Sequence, residues 1–160
     1  MSVKILQLIA LAILLAGCAT AAVNRTQSDT QAIIATNERI REHYAQQNIA
    51  GILQYHDPDV EKVLSWNDHQ IGHAAMETSL KGLFRDYRVN FLGRADDMQS
   101  LQIRDNTAVM VATFIMQGQP KAATGQSFVF SGRAMIVYRR DARSPTGWLT
   151  YREMVVPETK

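Results

Sequence analysis

The chain has 160 residues, of which 46% are hydrophobic and 20% charged, and its formal net charge is +2. This length suits one compact domain with a core of its own and is short for two. The balanced charge gives no electrostatic argument for a nucleic-acid partner, so that class of function is not indicated.

The first residues have the layout of a secretory leader. Lys4 supplies a positive charge, and an apolar run interrupted only by Gln7 extends from Ile5 to Leu15. This run is shorter than the about 20 apolar residues that span a bilayer. The sequence Leu15-Ala16-Gly17-Cys18 at its end resembles the lipobox of bacterial lipoproteins. An ordinary cleaved leader and an uncleaved anchor helix are the alternatives.

The lipobox resemblance implies that residues 1–17 are a signal peptide and that Cys18 becomes the lipidated first residue of the exported protein. Cys18 is the single cysteine of the chain, so an intramolecular disulfide does not explain it. Each buried acyl methylene contributes about 0.8 kcal/mol, so two or three acyl chains would anchor the protein stably to a membrane. Ala19 stands where an aspartate would resemble the inner-membrane retention signal of enteric bacteria. The resemblance therefore implies the periplasmic face of the outer membrane in a cell that has one.

The segment after the cysteine is small or polar, so residues 18–27 are predicted to be the lipidated cysteine and a flexible tether, and residues 28–160 the domain. Ser28 and Gln31 form a capping-box pattern. Apolar residues recur at helical spacing from Ile33 to Tyr44, which predicts a first amphipathic helix.

Shorter elements follow this helix. A helical turn is predicted over residues 49–55, and a turn over residues 56–59 because the proline excludes its predecessor from the α region. Residues 60–65 are predicted as a short strand and residues 67–72 as a polar loop. An apolar stripe at helical spacing between Met76 and Tyr87 then predicts a second long helix, which ends near Asp86.

The second half of the chain is rich in β-branched and aromatic residues, which favour strands. The predicted strands are Val89–Leu92, Leu101–Arg104, Thr107–Gln117, Gln126–Arg140 and Trp148–Val156. Two of them are unusually long, which indicates a strongly curved sheet. The predicted class is α+β, with N-terminal helices packed on one face of a curved antiparallel sheet.

The order and spacing of short motifs carry a family resemblance. These motifs are the early helix ending near Gly51, His56-Asp57-Pro58-Asp59-Val60, Gly72 before a helix, Gly132-Arg133-Ala134 and Gly147-Trp148. Together they resemble the nuclear transport factor 2-like cone, and more narrowly the SnoaL-like group that includes polyketide cyclases and relatives of ketosteroid isomerase. The resemblance implies a conical cavity that commonly holds a small hydrophobic molecule, and a sheet face that commonly dimerises.

The end of the chain departs from that family. Many members continue from the last-strand tryptophan through histidines to a serine or threonine, whereas this chain has Tyr151-Arg152-Glu153-Met154-Val155-Val156-Pro157. The departure argues against a hydrolytic or isomerase role and leaves a binding role intact. The residues expected in the cavity wall are Trp66, Met110, Phe114, Arg133 and Tyr151.

An acid–base enzyme of the isomerase or dehydratase type is an alternative. Asp57 or Asp59, beside His56, would be its base, provided that burial raises the carboxylate pKa toward neutrality. Arg133 would stabilise a developing oxyanion. The structural alternative is that both aspartates serve the backbone geometry of a proline turn.

Strand alternation separates two faces of the long strand near Arg133. It puts Arg133 and Met135 on one face and Ala134 and Ile136 on the other, without saying which face is concave. If Arg133 lies on the outer face, it is expected in an exposed ion pair that contributes little to the stability of the fold.

No cofactor or metal is expected from the sequence. His69 and His73 stand at a spacing that zinc ligands share on a helix, but Gly72 separates them and no third ligand is evident. No nucleotide, flavin or haem motif occurs. Three hypotheses follow: a tethered domain that binds a small hydrophobic or amphipathic molecule, an acid–base enzyme, and a dimerising interaction module.

Overall fold

The computed structural model describes residues 25–94 and 97–158. The predicted leader, Cys18 and the tether up to residue 24 lie outside these residues. The chain divides into two compact units, one ending at Gln31 and the other beginning at Ala32. In the first unit residues 25–31 are helical, including residues 25–27 of the predicted tether. Among the described residues, no helix is long and apolar enough to cross a membrane.

Three helices of the second unit precede or interrupt the first strands. They are α1 (residues 32–45), α2 (Ile49–Leu53) and α3 (Gly72–Asp86). Asn48 begins α2, because its side-chain oxygen accepts a hydrogen bond from the backbone N–H of Gly51 at 2.9 Å. That N–H belongs to the first turn of the helix, where no backbone acceptor is available.

Helix α3 confirms the predicted apolar stripe. Its buried residues are Met76, Leu80 and Phe84, spaced one helical turn apart. Gly72, at the junction between strand and helix, has a φ of +75°, a left-handed conformation that glycine adopts without steric cost. The change of direction between the two elements therefore depends on this residue.

Within residues 25–94 and 97–158, seven strands form one sheet. Their bounds extend most of the predicted ones by a few residues. The strands are β1 (His56–Ser65), β2 (Asp68–Ile71), β3 (Tyr87–Leu92), β4 (Met98–Arg104), β5 (Thr107–Pro120), β6 (Phe128–Arg140) and β7 (Trp148–Pro157). The order is β2-β1-β7-β6-β5-β3, and β4 also pairs with β5.

The sheet is mixed, because β1 and β7 run parallel while the other pairs are antiparallel. Most of the domain forms the crossover between β1 and β7, as a parallel pair requires. The first half of β5 pairs with β4 and its second half with β3. One long strand, β5, therefore pairs along one side with two shorter strands in succession. The sheet is curved, as predicted.

Two local predictions were wrong. The segment predicted as a turn at residues 56–59 is the start of β1, because the conformation that Pro58 imposes is compatible with a strand. The register of β1 against β7 shifts between His56 and Glu61, so the proline lies where the ladder is irregular. The segment predicted as a loop after Asn67 is β2, which forms a hairpin with β1.

Two apolar clusters form the core of the described part of the chain. One joins α1 to the sheet and contains Ile33, Ala108, Met110, Ala112, Tyr138 and Trp148. The other lies around α2 and α3 and contains Ile52, Val60, Met76, Leu80, Phe84 and Val89.

Candidate functional site

A cavity of about 360 Å³ lies between the helices and the concave face of the sheet. One side of it, which we call the apolar wall, comes from β3, β5 and β6. The apolar wall comprises Phe91, Met110, Ala112, Phe114, Met116, Phe130, Ala134 and Ile136. Its members alternate along β5 and β6, so the concave face is the one that carries Ala134 and Ile136.

The opposite side, which we call the polar wall, comes from the neighbouring strands β1, β2 and β7. The polar wall comprises His56, Lys62, Asp68, Gln70, Thr150 and Glu153. The charged and amide side chains that the sheet contributes therefore lie on one half of it, and the other half is apolar apart from Thr113. Leu64 and Val155 add apolar lining beside the polar wall.

A buried ion pair lies at the centre of the polar wall. Lys62 on β1 is the register partner of Glu153 on β7, and its Nζ lies 2.8 Å from the Oε2 of Glu153. Only 7% of the Lys62 side chain and 16% of the Glu153 side chain are exposed. Burial by itself would lower the pKa of Lys62, but the combined attraction of Glu153, Tyr44 and Asp68 outweighs it and the pKa is raised. Lys62 is therefore a cation inside the protein.

A β-bulge places Glu153 in the cavity. Val137 and Tyr138 of β6 pair with Arg152 and Thr150 of β7, so Tyr151 is an extra residue in the last strand. Thr150 and Glu153 both line the cavity, although strict alternation would have turned Arg152 inward. The extra residue thus exchanges a guanidinium for a carboxylate.

His56 is a buried, uncharged ring in the same wall. Its exposed fraction is 2%, and its Nδ1 lies 2.8 Å from the carbonyl oxygen of Ile52. Burial lowers the pKa of His56 well below its usual value, and the nearby Lys62 ammonium lowers it further. His73 supports the backbone of this residue, since its Nε2 lies 2.9 Å from the His56 carbonyl oxygen.

Further polar side chains are held by one another. Gln70 donates to Asp68 at 2.9 Å and to Ser79 at 3.0 Å. The hydroxyl of Tyr138 donates to the side-chain oxygen of Asn37 at 2.7 Å, and burial raises the pKa of this tyrosine. These bonds fix the lining groups before any ligand arrives, which lowers the cost of ordering them on binding.

The structure brings two of the five expected wall residues into the cavity, namely Met110 and Phe114. Trp66 is 98% exposed in the turn between β1 and β2. Arg133 is exposed on the other face of β6. The ring of Tyr151 lies against the guanidinium of Arg152, whose central carbon is 3.7 Å from the ring centroid. None of these last three predicted residues is among those that line the cavity.

Asp57 and Asp59, the carboxylates of the enzyme hypothesis, do not line the cavity either. Asp57 is fully buried; one of its oxygens accepts from the backbone N–H of Asp59 at 2.9 Å, and the other pairs with Arg139. Asp59 is exposed. The bond from Asp57 to the backbone two residues on is the geometric role that the structural alternative gave it. The catalytic role of both residues stays a prediction.

His69 and His73 do not face a common site. The Nε2 of His69 lies 2.9 Å from Glu61, whereas His73 contacts the backbone of β1. Within residues 25–94 and 97–158 there is no group of three or more histidine, cysteine, aspartate or glutamate side chains that could hold a metal ion.

Comparison with known proteins identifies the fold. No family model matches the sequence, and no curated protein matches it either. Among solved structures, a nuclear transport factor 2-like superfamily protein from Salmonella enterica is 15% identical, with a TM-score of 0.69 over 84% of this chain and 94% of that one. A scytalone dehydratase-like protein from Novosphingobium aromaticivorans is 11% identical, with a TM-score of 0.75 over 86% and 89% of the two chains. A conserved protein from Planctomyces limnophilus is 16% identical, with a TM-score of 0.71 over 82% and 99%.

These likenesses show that the chain has the nuclear transport factor 2-like fold, as its motifs predicted. The sequence did not single out Lys62 as a cavity residue. Glu153 belongs to the last-strand segment in which the sequence departs from the family pattern. The available signal was a pair of adjacent opposite charges in each strand, Glu61-Lys62 in β1 and Arg152-Glu153 in β7.

Proposed function

We propose that the domain binds a small hydrophobic or amphipathic molecule in the cavity between its two walls. The observation that carries the proposal is the separation of a polar wall from an apolar wall around one space. A volume of about 360 Å³ lies in the range of about 300–1,000 Å³ that is usual for small-molecule sites. An amphipathic ligand would place its polar group on the β1–β7 side and its apolar body on the β5–β6 side.

Filling the cavity tests this proposal. Ala134 is 4% exposed and belongs to the apolar wall, so Ala134→Phe should remove binding of a fluorescent apolar probe such as N-phenylnaphthylamine. Met135→Phe changes the next residue, which is 46% exposed on the opposite face, and should leave probe binding intact. Native mass spectrometry of the gently purified protein would reveal a ligand carried from the cell. Equal probe binding by both variants would exclude this cavity as the binding site.

The lipobox supports a second part of the proposal, namely that the domain works while anchored through Cys18. The resemblance implies the periplasmic face of the outer membrane as its place in a Gram-negative cell. Cys18→Ser should release the protein from the membrane fraction or stall its maturation. A variant that is processed normally and stays on the membrane would exclude lipidation at this residue.

An isomerase- or dehydratase-type reaction is the second candidate function. The observation in its favour is the set of ionisable side chains in the polar wall, on a fold shared with a scytalone dehydratase-like protein. His56, Asp68 and Glu153 are the lining groups that can exchange a proton, whereas Asp57 and Asp59 would act from outside the lining.

A homodimer formed through the outer sheet face is the third candidate. We call the exposed apolar residues there the convex patch: Ile115, Val129, Met135, Met154 and Val156, which are between 42% and 65% exposed. Met135 and Met154 are direct register partners, and Val156 lies two pairs further along the same strands. Apolar side chains repeated across adjacent strands mark interaction sites, and such a patch can pack against a second copy of itself. The exposed Arg133 is the register partner of Val156, so the patch has a cation at this edge.

A further inference from the structure

We infer that the ligand of the cavity is an alcohol or a phenol, an uncharged apolar molecule whose hydroxyl group binds between Lys62 and Glu153. This inference rests on the proposed binding function and names the chemistry of the molecule that the same cavity would take. Three properties of the described residues support it: the charge balance of the lining, the hydrogen-bonding positions that the ion pair leaves unused, and the composition of the apolar wall.

The charged side chains that line the cavity balance one another. Arg41 and Lys62 carry positive charge, and Asp68 and Glu153 carry negative charge. His56 adds no charge near neutral pH, because burial lowers its pKa. A charged ligand would bring an unpaired charge out of water into this balanced space, which is costly. The lining therefore selects for a molecule without net charge.

The ion pair leaves both a donor and an acceptor for a ligand. The ammonium of Lys62 has three N–H donors, and in the part of the chain that the structure describes its one partner is the Oε2 of Glu153. The other oxygen of Glu153 has no hydrogen bond within the same residues. A hydroxyl group can accept from the ammonium and donate to the carboxylate at once. A ketone or an ether can only accept a hydrogen bond, so it cannot satisfy Glu153. A ligand carboxylate would be repelled by Glu153, and a ligand ammonium by Lys62.

The apolar wall fits a ring or a branched chain. The rings of Phe114 and Phe130 lie edge to face, with centroids 5.2 Å apart, and Met110 and Met116 stand beside Phe114 on the same face of β5. Aromatic and methionine side chains adapt to flat or irregular apolar bodies. The hydroxyl group would thus project from a hydrocarbon body that lies against β5 and β6.

A series of probes on one ring system tests the inference. The protein is the chain from position 18 onward carrying Cys18→Ser, and naphthol, methylnaphthalene, naphthoate and naphthylmethylammonium compete with N-phenylnaphthylamine. Naphthol should bind at least about tenfold more tightly than each of the others, because hydrogen bonds to charged groups are the strong ones. If the dye binds but naphthol has no advantage, the inference is overturned and the binding function stands. If neither the dye nor any competitor binds, the binding function fails as well.

A pair of double variants locates the preference. Lys62→Met with Glu153→Leu should retain dye binding and bind naphthol no better than methylnaphthalene. The matched control is Lys81→Met with Glu77→Leu, an exposed pair on α3 with a separation of 2.7 Å, and it should keep the preference. A preference that survives loss of the buried pair would overturn the assignment of the hydroxyl site. The probe series on the unsubstituted pair decides the ligand class even if the first double variant does not fold.

Discussion

The Nδ1 atom of His56 lies 2.8 Å from the carbonyl oxygen of Ile52, so this nitrogen carries the ring proton and donates it to the end of α2. A second proton would charge a ring that is 2% exposed and lies near the Lys62 ammonium. Burial therefore lowers the pKa of His56 well below the 6.5 of an unperturbed histidine. The folded protein holds this residue in its neutral form.

This neutral histidine predicts a loss of stability in mild acid. Below pH 6.5 the unfolded chain takes up a proton that the folded state does not bind, so the free energy of unfolding falls as the pH falls. Between about pH 7 and pH 5.5, the free energy of unfolding of His56→Gln should fall by about 1 kcal/mol less than that of the parent protein. Urea unfolding at the two pH values measures the difference. An identical pH dependence in the variant and the parent would contradict the prediction.

Breaking the buried ion pair should cost more than removing it. Lys62→Met leaves the carboxylate of Glu153 unpaired in the cavity wall, and we expect the free energy of unfolding to drop by about 3–5 kcal/mol. Adding Glu153→Leu removes the stranded charge and should restore most of that loss. The control, Lys81→Met, breaks an exposed pair and should change stability by no more than about 0.5 kcal/mol. Denaturant unfolding that ranks the double variant below the single one would disprove this account of the pair.

Asp57 and Asp59 should differ sharply on substitution. Asp57→Asn weakens the pairing with Arg139 in a fully buried position, so we expect a loss of about 1–3 kcal/mol in stability. Asp59→Asn changes an exposed side chain and should shift stability by less than about 0.5 kcal/mol. The same variants bear on the enzyme hypothesis. Full isomerase or dehydratase turnover by both, measured on a substrate that the protein converts, would exclude either aspartate as the base.

The convex patch predicts a dimer in solution at micromolar concentration. Met154→Lys places a charge in the middle of the patch, and because both copies carry it, the dimer should dissociate. Trp66→Ser removes an exposed ring outside the patch and should leave the dimer intact. Analytical ultracentrifugation distinguishes these states. A monomeric parent protein at that concentration would remove the support for the interaction module.

The sequence predicted the elements well and their long-range pairing poorly. The stripe of Met76, Leu80 and Phe84 identifies α3 because its spacing is a local property of the chain. The parallel contact between β1 and β7 joins the two ends of the domain, and neither strand carries a local pattern that indicates it. The sequence did not predict Lys62 and Glu153 as cavity residues for the same reason. Each charge can be buried only when it is paired with the other, and their pairing depends on the contact between β1 and β7.

The bulge also limits what alternation can predict about the cavity. Counting every second residue from Thr150 leads to Arg152, whereas the lining residue is Glu153. The extra residue, Tyr151, is revealed only by the register of β6 against β7. Two of the five expected wall residues line the cavity, and both lie on β5, where alternation is regular.

The position of the bulge in β7 determines which charge faces the ligand. If the bulge lay after Glu153 instead of at Tyr151, the composition of β7 would be unchanged, but regular alternation from Thr150 would turn the guanidinium of Arg152 inward and the carboxylate of Glu153 outward. Lys62 would then face a second cation, and the interior would attract anions instead of neutral molecules. Moving a bulge along a single strand is therefore a route by which related chains could change the charge of their ligand. The lining residues on the other strands would stay the same.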